Sequence, residues 1–273
     1  CPQALDSRFI RAQCTNDEVF DDGGMLSLYT DGTHLHKVRA RGFGKFTIEI
    51  RDSVRNRVVD CSMDHPSAYG SGGQGYGVHL IGASRTVVDG ERVQFARHGV
   101  VVDFGSSDSQ VLDGEFSDMN QALIDVHGEA SRDTLVRGNQ LSDGTVGVII
   151  GGGGREVHCN DGPRHHVIDN TMTNCSLAGV SVNDYTEQIF VRSNTLTRNS
   201  THVSATFGGN TILVERNRLG EAGLTPISVA LDGSGGITVR RNQFDEACQP
   251  EDAFLALLNG EAPVFADNIW CPN

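Results

Sequence analysis

Hydrophobic and polar positions follow a pattern that recurs nine times along this sequence. Each repeat has two or three apolar residues, then a small or amide residue, then another apolar residue, as in VIDNTM and FVRSNTL. The small or amide residues stand at Cys61, Gly90, Gly114, Asn139, Asn170, Asn194, Asn217, Asn242 and Asn268. Most of them are 23 to 26 positions apart. A repeat of that length indicates a solenoid whose successive coils stack on one another.

A second short strand follows the marked residue in most coils, for example GYGVHLIG, RHGVVVDFG and NQALIDVHG. Strand alternation sends one set of side chains into a stacked core and the other onto a long flat face. We therefore predict an all-β, single-stranded right-handed parallel β-helix of about nine or ten coils, with helix confined to the caps. The asparagines are expected to form an inward amide ladder between coils.

The spacing also predicts the domain organisation. Residues 1–34 do not fit the repeat and are expected to form an N-terminal cap, followed by the β-helix over 35–273. The two longest intervals predict loop excursions near 62–76 and 151–166, and such loops on a rigid β-helix commonly wall a substrate groove. The last residues are expected to form a C-terminal cap, because an open coil end would expose both backbone and core.

Composition and charge exclude some classes of partner. Aromatic residues are 6% of the chain, and 33 glycines and 7 prolines suit short strands and tight turns. The net charge of −13 argues against nucleic acid as a partner, and no apolar stretch reaches the ~20 residues of a membrane span. The acidity also disfavours strongly anionic glycans unless arginines or a bound cation neutralise them locally. We predict no cofactor and no metal site; Ca²⁺ is left open as a neutralising ion, without a motif that indicates it.

The seven cysteines suggest an oxidising compartment. By proximity in sequence we predict the disulfides Cys1–Cys14, Cys159–Cys175 and Cys248–Cys271, with Cys61 buried in the core, although the sequence alone does not fix this connectivity. The alternative is a reduced, cytosolic protein. The predicted location is secreted, on the cell surface or on the surface of a virion.

The Asn-marked repeat over residues 37–270 resembles the pectate-lyase-like superfamily of right-handed parallel β-helices. That superfamily includes polysaccharide lyases, polygalacturonases, mannuronan C5-epimerases and phage tailspikes, so the resemblance implies the fold and a polysaccharide partner but leaves the chemistry open. Residues 95–129 are similar to coils of phage tail and bacterial surface β-helix proteins. In alginate C5-epimerases an Asp-Pro-His turn removes and returns the sugar proton, and Asp125-Val126-His127 resembles it, with valine in place of proline.

Alternation along the strands predicts one polar cluster on the outer face. Val100, Val102 and Phe104 are expected to point inward. Because coils stack ~4.8 Å apart, outward side chains from three successive coils would then meet. The predicted catalytic residues are His79, Asp103, Asp125 and His127, with Arg97 and Arg137 as candidates to neutralise a substrate carboxyl group. The predicted substrate-binding residues are His98, Glu129, Tyr69, Tyr76 and Tyr185.

These residues are compatible with several functions. A histidine could take a proton next to a uronate carboxyl group while arginine neutralises that group, as in a lyase or C5-epimerase. A pair of carboxylates could instead divide acid and base roles, as in a glycoside hydrolase. Asp125 and His127 could also simply brace a coil corner. We expect an extracellular polysaccharide-active enzyme; the alternative is a non-catalytic glycan-binding adhesin or tailspike-type module. The oligomeric state stays open, a monomer or, for a tailspike, a trimer.

Overall fold

The structure is a single-stranded parallel β-helix, as the repeat predicts. The computed structural model describes residues 13–15, 25–42, 44–64, 74–128, 130–151, 162–183, 186–206, 210–230, 236–247, 253–257 and 263–271. Every described strand pairs in parallel with the strand three elements away in the chain, so each coil adds one strand to each of three sheets. Connections between parallel strands are right-handed in nearly all proteins, and this fold is a right-handed parallel β-helix. No described helix is long and apolar enough to cross a membrane.

The three sheets are named here by their strands, numbered in chain order. Sheet 1 contains β2 (Leu26–Leu28), β5 (Phe46–Arg51), β8 (Tyr76–Ile81), β11 (His98–Asp103), β14 (Ala122–Val126), β17 (Val146–Ile150), β20 (Ala178–Val182), β23 (Asn199–Thr206), β26 (Ala222–Ala230) and β29 (Phe254–Leu257). Sheet 2 contains β3 (His34–His36), β6 (Arg57–Val59), β9 (Val87–Asp89), β12 (Gln110–Leu112), β15 (Leu135–Arg137), β18 (His165–Ile168), β21 (Glu187–Arg192), β24 (Asn210–Glu215), β27 (Ile237–Arg240) and β30 (Val264–Ala266). Sheet 3 contains β1 (Gln13–Thr15), β4 (Arg39–Arg41), β7 (Ser62–Asp64), β10 (Arg92–Gln94), β13 (Glu115–Ser117), β16 (Gln140–Ser142), β19 (Thr171–Thr173), β22 (Thr195–Thr197), β25 (Arg218–Leu219), β28 (Gln243–Phe244) and β31 (Ile269–Trp270).

The core is built from columns of equivalent side chains. In sheet 2, eight successive strands place a valine at the same position, and all eight are buried: Val58, Val88, Val111, Val136, Val167, Val191, Val214 and Val239. The β-branched side chain suits this pleated, stacked surface. Burying each valine contributes about 1.5–3 kcal/mol relative to exposure. The strict register explains why a slip of one residue would be costly, since it would move the whole column to the outer face.

The predicted asparagine ladder is confirmed at the corner between sheets 2 and 3. Five successive side-chain amides donate to the Oδ1 atom of the next asparagine over 2.9–3.2 Å: Asn139, Asn170, Asn194, Asn217 and Asn242, with Asn268 as the last acceptor. The residue before each ladder asparagine is left-handed, with φ of 53–73°. The bend therefore belongs to the preceding residue, and the asparagine itself points inward to satisfy buried backbone groups.

The sequence repeat was assigned one position too early in one coil, where Gly90 was marked instead of Glu91. Gly90 takes the left-handed bend, with φ of 69°, and Glu91 occupies the line of the ladder. Oε1 of Glu91 accepts a hydrogen bond from the backbone N–H of Cys61 over 3.3 Å. The next position along the line is Gly114, which offers no side chain. Within the described residues, Oε2 of Glu91 has no hydrogen-bond partner.

Replacing this buried acid should change stability in a pH-dependent way. Burial raises the pKa of Glu91 well above its usual value, so the folded protein holds a proton there. The unfolded chain ionises near ~4.3, so the contribution of Glu91 to stability is fully present below that pH and is lost as pH rises through the folded-state pKa. We expect Glu91→Gln to raise the thermal midpoint by a few degrees at pH 8 and hardly at all at pH 4. Glu115→Gln, at an exposed site of the next coil, is the matched control; equal shifts at both pH values would contradict the expectation.

The chain ends and cysteines differ in part from the predictions. Strands β1 and β2 already belong to sheets 3 and 1, so coils begin before the predicted boundary at residue 35.

Cys61 is a buried free thiol, as predicted. Cys175 is also free and buried, so the predicted Cys159–Cys175 disulfide is wrong: the side chain lies in the core stack after β19. The other two pairings involve residues outside the described part, including Cys1 and Cys248, and stay predictions.

Two other expectations concern the surface. Most residues of both predicted loop excursions, 65–73 and 152–161, lie outside the described residues. Phe104, expected to point inward, is instead exposed. It follows the last residue of β11 and has a left-handed φ of 40°, so the alternation of the strand no longer governs its direction.

Candidate functional site

The outer face of sheet 1 gathers polar side chains from four successive coils. On β8 the side chains of Val78 and Leu80 enter the core, so His79 between them points outward. The same register position holds Glu49 on β5 and Asp125 on β14, with Val101 between His79 and Asp125. These side chains therefore form one column along the sheet.

A second column lies beside the first, at the end of the same strands. Asp103 is the last residue of β11, and His127 follows β14, where its backbone N–H donates to the carbonyl of Val102. Tyr76 and His98 are paired at the start of β8 and β11. Stacking of coils thus brings together residues that are up to 78 positions apart in sequence, from Glu49 to His127.

Carboxylates and imidazoles alternate through this group. We call it the acid–imidazole network, and its order is Glu49, His79, Asp103, His127, Asp125, His98. Nδ1 of His79 lies 3.7 Å from Oε2 of Glu49, and its Nε2 lies 3.4 Å from Oδ2 of Asp103. The same oxygen of Asp103 is 3.5 Å from Nε2 of His127. Nδ1 of His127 is 2.9 Å from Oδ1 of Asp125, whose Oδ2 is 3.4 Å from Nδ1 of His98.

The side chains of the network lie on the outer side of sheet 1, but most of them are buried. The cluster was predicted to be outward, and its side chains do point away from the core. His79, Asp103, Asp125 and His98 are nevertheless buried, because neighbouring coils are only ~4.8 Å apart and long side chains on them cover each other. His127 is the most accessible member, with 20% of its side chain exposed. A substrate would therefore meet the network first at His127.

The carboxylate at the first end of the network is held ionised. Contact with His79 is the largest influence on Glu49; burial opposes it, and hydrogen bonds from Arg51 and Ser27 add to it, which together lower the pKa of Glu49 to about 2. Both Nε and Nη2 of Arg51 donate to this carboxylate, over 3.3 and 3.2 Å. Glu49 and Arg51 were missed in the sequence. The signal for them was alternation in FTIEIR, which turns Glu49 outward between the buried Ile48 and Ile50.

Asp125 is ionised for a different reason. Burial is the largest influence on this carboxyl group and raises its pKa, but the charge of His127, its hydrogen bond, and the charges of His98 and Arg97 together outweigh burial. The pKa of Asp125 is therefore below its usual value. Burial is also the largest influence on His98 and lowers its pKa, while the charge of Asp125 opposes it.

Aromatic and cationic groups border the network. The ring of Tyr76 lies edge-on to His79, with centroids 4.8 Å apart, and is 5.5 Å from His98. Cζ of Arg97 lies 5.9 Å from the centroid of Tyr76, and Nε of Arg97 donates to Oε1 of Gln121 over 3.0 Å. Nη1 of Arg97 is buried and has no hydrogen-bond partner among the described residues. The guanidinium therefore keeps a donor beside the network.

The structure brings together most of the predicted site residues. The predicted residues that lie in or against the network are His79, Asp103, Asp125, His127, His98, Tyr76 and Arg97. The predicted place of Arg137 beside the site was wrong. Arg137 is the last residue of β15 in sheet 2, where it pairs with Leu112 and Ile168. Tyr69, Glu129 and Tyr185 lie outside the described residues. Among the residues that the structure describes, no group of histidine, cysteine and acidic side chains has the arrangement of a metal site.

Comparisons with known proteins identify the fold family. Solved structures of similar fold include an alginate lyase from Paenibacillus sp., with a TM-score of 0.64, 14% identity, and coverage of 90% of this chain and 94% of that one. The A-module of Azotobacter vinelandii mannuronan C-5 epimerase has a TM-score of 0.61 and 11% identity, covering 96% and 85%. A tailspike protein mutant of E. coli bacteriophage HK620, in complex with a pentasaccharide, has a TM-score of 0.65 and 12% identity.

The chain covers only part of some of these proteins. The match to the tailspike includes 95% of this chain but only 52% of the tailspike chain. No curated protein sequence matches significantly. At these identities the structural likeness shows the fold alone. The sequence family described as "Right handed beta helix region" matches residues 14–161 and 131–268, so the chain belongs to the family of right-handed β-helix proteins.

Proposed function

We propose that this protein is an extracellular enzyme that acts on a uronate-containing polysaccharide, as a lyase or a C5-epimerase. The observation that carries the proposal is the acid–imidazole network, with the positive charge of Arg97 acting on Asp125 and His98 beside it. Such a site can move a proton and hold a substrate carboxylate at the same time. The polysaccharide would lie on the outer face of sheet 1.

The chemistry that we propose begins at the carbon next to the uronate carboxyl group. The imidazole of His127 takes the proton from C5, and the electron pair of that C–H bond moves into the carboxyl group. Arg97 stabilises the added negative charge, and Asp125 orients the imidazole through Nδ1. In elimination the bond from C4 to the glycosidic oxygen breaks, the oxygen takes the proton back from His127, and a C4–C5 double bond remains. In epimerisation a water molecule on the opposite face donates a proton to C5, and His127 then gives its own proton to solvent, which restores the neutral imidazole and the water.

The electrostatics of two network carboxylates, Glu49 and Asp125, argue against either one as the acid of a hydrolase. A glycoside hydrolase needs one carboxyl group with a raised pKa to protonate the leaving oxygen. Glu49 and Asp125 both have a lowered pKa, so both are ionised at neutral pH. Neither group is suited to be that acid, whereas imidazoles titrate near neutrality.

The similar structures support the class of substrate. Their names describe an alginate lyase, a mannuronan epimerase and a tailspike bound to an oligosaccharide. Another similar structure is a periplasmic alginate epimerase, with a TM-score of 0.54, 14% identity, and coverage of 79% of this chain and 62% of that one. These names agree with a secreted or surface location and with a glycan partner for this chain. Monomer and trimer both remain compatible with the proposal.

The experiment tests the role of Arg97 together with the type of product. Wild type, Arg97→Gln and Arg92→Gln are incubated with alginate, polygalacturonate and neutral dextran. Absorbance of unsaturated products, reducing ends and the epimer ratio by NMR are measured. We expect unsaturation or epimerisation of a polyuronate, and a loss of kcat/KM of about 100-fold in Arg97→Gln. Arg92→Gln removes an equal charge from an exposed ion pair with Glu115 and should behave as wild type.

Each other outcome points to a named alternative. New reducing ends without unsaturation would replace the proposal with hydrolysis. A polysaccharide that is bound but unchanged by wild type would favour a glycan-binding module of the adhesin or tailspike type.

A further inference from the structure

We infer that the outer face of sheet 2 carries a second, non-catalytic site that binds carboxylated polysaccharide. Arginines gathered around Glu215 and the stacked rings of His166 and Phe190 form it. The inference takes its ligand class from the proposed function, but it uses none of the residues of the acid–imidazole network. The two sites lie on different sheets of the β-helix.

The first observation is an arginine cluster, which we define as Arg192, Arg240 and Arg241. Nε of Arg240 is 3.0 Å from Oε1 of Glu215, Nη1 of Arg241 is 3.5 Å from the same oxygen, and Nε of Arg192 is 3.4 Å from Oε2. Only 6% of the Glu215 side chain is exposed, whereas 35–50% of each arginine side chain is exposed. Three cations share one buried carboxylate, which leaves two positive charges at the surface.

The local charge opposes that of the whole chain. The net charge is −13, so a cationic patch is where an anionic polymer would find attraction. Nε of Arg192 is buried and has no hydrogen bond to the residues that the structure describes, only the 3.4 Å ion pair. A ligand can nevertheless reach these arginines, because 35–50% of each side chain is exposed. Their planar forks match carboxylates in a bidentate manner.

The second observation concerns the bends beside this cluster. Ten left-handed bends between sheets 2 and 3, from Lys37 to Asp267, stack on one another in the described part of the chain. Seven of them use aspartate, glycine or serine: Asp60, Gly90, Asp113, Gly138, Asp169, Ser193 and Asp267. The other three have a long cationic side chain: Lys37 in the first of these coils, and Arg216 and Arg241 in consecutive coils, with φ of 57° and 56°. Arg216 therefore extends the cationic surface beside Glu215 by one more arginine.

The third observation is an apolar stripe on the same face. The rings of His166 and Phe190 stack with centroids 4.7 Å apart and an interplanar angle of 17°. Cζ of Arg192 lies 4.8 Å from the Phe190 centroid, and Leu213 follows Phe190 in the same column. All three apolar or aromatic side chains are only partly buried. Burial lowers the pKa of His166, so its ring is neutral at neutral pH and presents no charge to repel the arginines.

These features together fit a polyuronate. Arg192 and Arg240 occupy one column with Glu215 between them, so they stand two coils, or ~10 Å, apart. A linear polyuronate repeats a carboxylate along a chain of rings, and each ring has an apolar face that can lie on the stripe. An acidic polypeptide offers the charges without those rings. A second site of this kind would retain a long polymer near sheet 1 by raising its effective concentration.

The test uses affinity electrophoresis in gels that contain polygalacturonate, alginate, dextran or polyglutamate. All variants carry His127→Ala and Arg97→Gln, so that catalysis does not consume the polymer and the carboxylate-binding arginine of sheet 1 does not hold it. Arg192→Gln/Glu215→Gln/Arg240→Gln removes the charges without leaving a buried lone carboxylate. We expect its apparent Kd for a polyuronate to rise at least about 10-fold, which is ~1.4 kcal/mol. Glu215→Gln alone raises the local charge and should tighten binding, and Arg92→Gln should change nothing. Thermal midpoints confirm that each variant is folded.

The outcomes separate this inference from the proposed function. Binding of polyuronate that the triple substitution abolishes supports the second site, even if wild type converts no polyuronate and the proposed function fails. Unchanged retardation of the triple variant would overturn the inference. The inference would also be overturned if neither polyuronate retarded the parent variant. Equal retardation by polyglutamate would overturn it too, because it would show that the surface binds any polyanion and does not recognise the sugar rings.

Discussion

Replacing His127 by alanine should lower polyuronate turnover per folded molecule by about 10²–10⁴-fold, an effect far larger than its cost in stability, because general acid–base groups contribute that much to rate. His127 is the most accessible member of the acid–imidazole network, and its two ring nitrogens face Asp125 and Asp103. Loss of the imidazole removes the group that we place at C5 of the sugar. Turnover per folded molecule and thermal midpoint are measured together.

The chain offers a matched control for this substitution. His36 on sheet 2 has 18% of its side chain exposed and an ion pair of 3.3 Å with Asp60. His36→Ala therefore removes a similar imidazole–carboxylate contact away from sheet 1, and its turnover should equal that of wild type. Asp125→Asn should also lose turnover, because it no longer orients His127. If His127→Ala melts early while its folded fraction turns over normally, the network is a brace and the active site lies elsewhere.

The largest effect on stability is expected in the asparagine ladder. Oδ1 of Asn194 accepts from both the backbone and the side-chain nitrogen of Asn170, over 2.9 and 3.0 Å. Its Nδ2 donates to the carbonyl of Val167 and to Asn217 over 2.8 and 3.0 Å. Alanine at position 194 would leave these buried groups without their partner. Each unsatisfied buried group costs about 1–3 kcal/mol, so we expect a loss of about 3–5 kcal/mol in the free energy of unfolding.

The end of the same ladder offers the control. Asn268 receives the same two hydrogen bonds from Asn242, over 2.9 and 3.2 Å, but it is only half-buried. Water can replace part of its bonding, so Asn268→Ala should cost about 1 kcal/mol. Denaturant unfolding of both variants measures the difference. Equal losses at the two positions would show that burial does not set the strength of the ladder.

Local sequence was sufficient for the regular part of the fold. Valines such as Val167 and Val191 and the amides of Asn170 and Asn194 recur at an interval of 24 residues, and a constant interval stacks equivalent residues in adjacent coils. Alternation then determined that His79 and Asp125 point away from the core. The polar cluster could be predicted for this reason, since its coils are 24 or so residues long and contain no large insertion between Asp103 and His127.

Tertiary structure decided what lies beyond a constant interval. Glu49 and His79 are 30 residues apart, across a longer coil, and only strand pairing showed that they meet. Pairing also placed Glu91 rather than Gly90 on the ladder, and Arg137 on sheet 2 rather than beside the site. Burial of the network is likewise a property of packing, because side chains from neighbouring coils cover one another. Sequence therefore determined the repeat and the direction of each regular side chain, whereas the register across long coils determined which of those side chains touch.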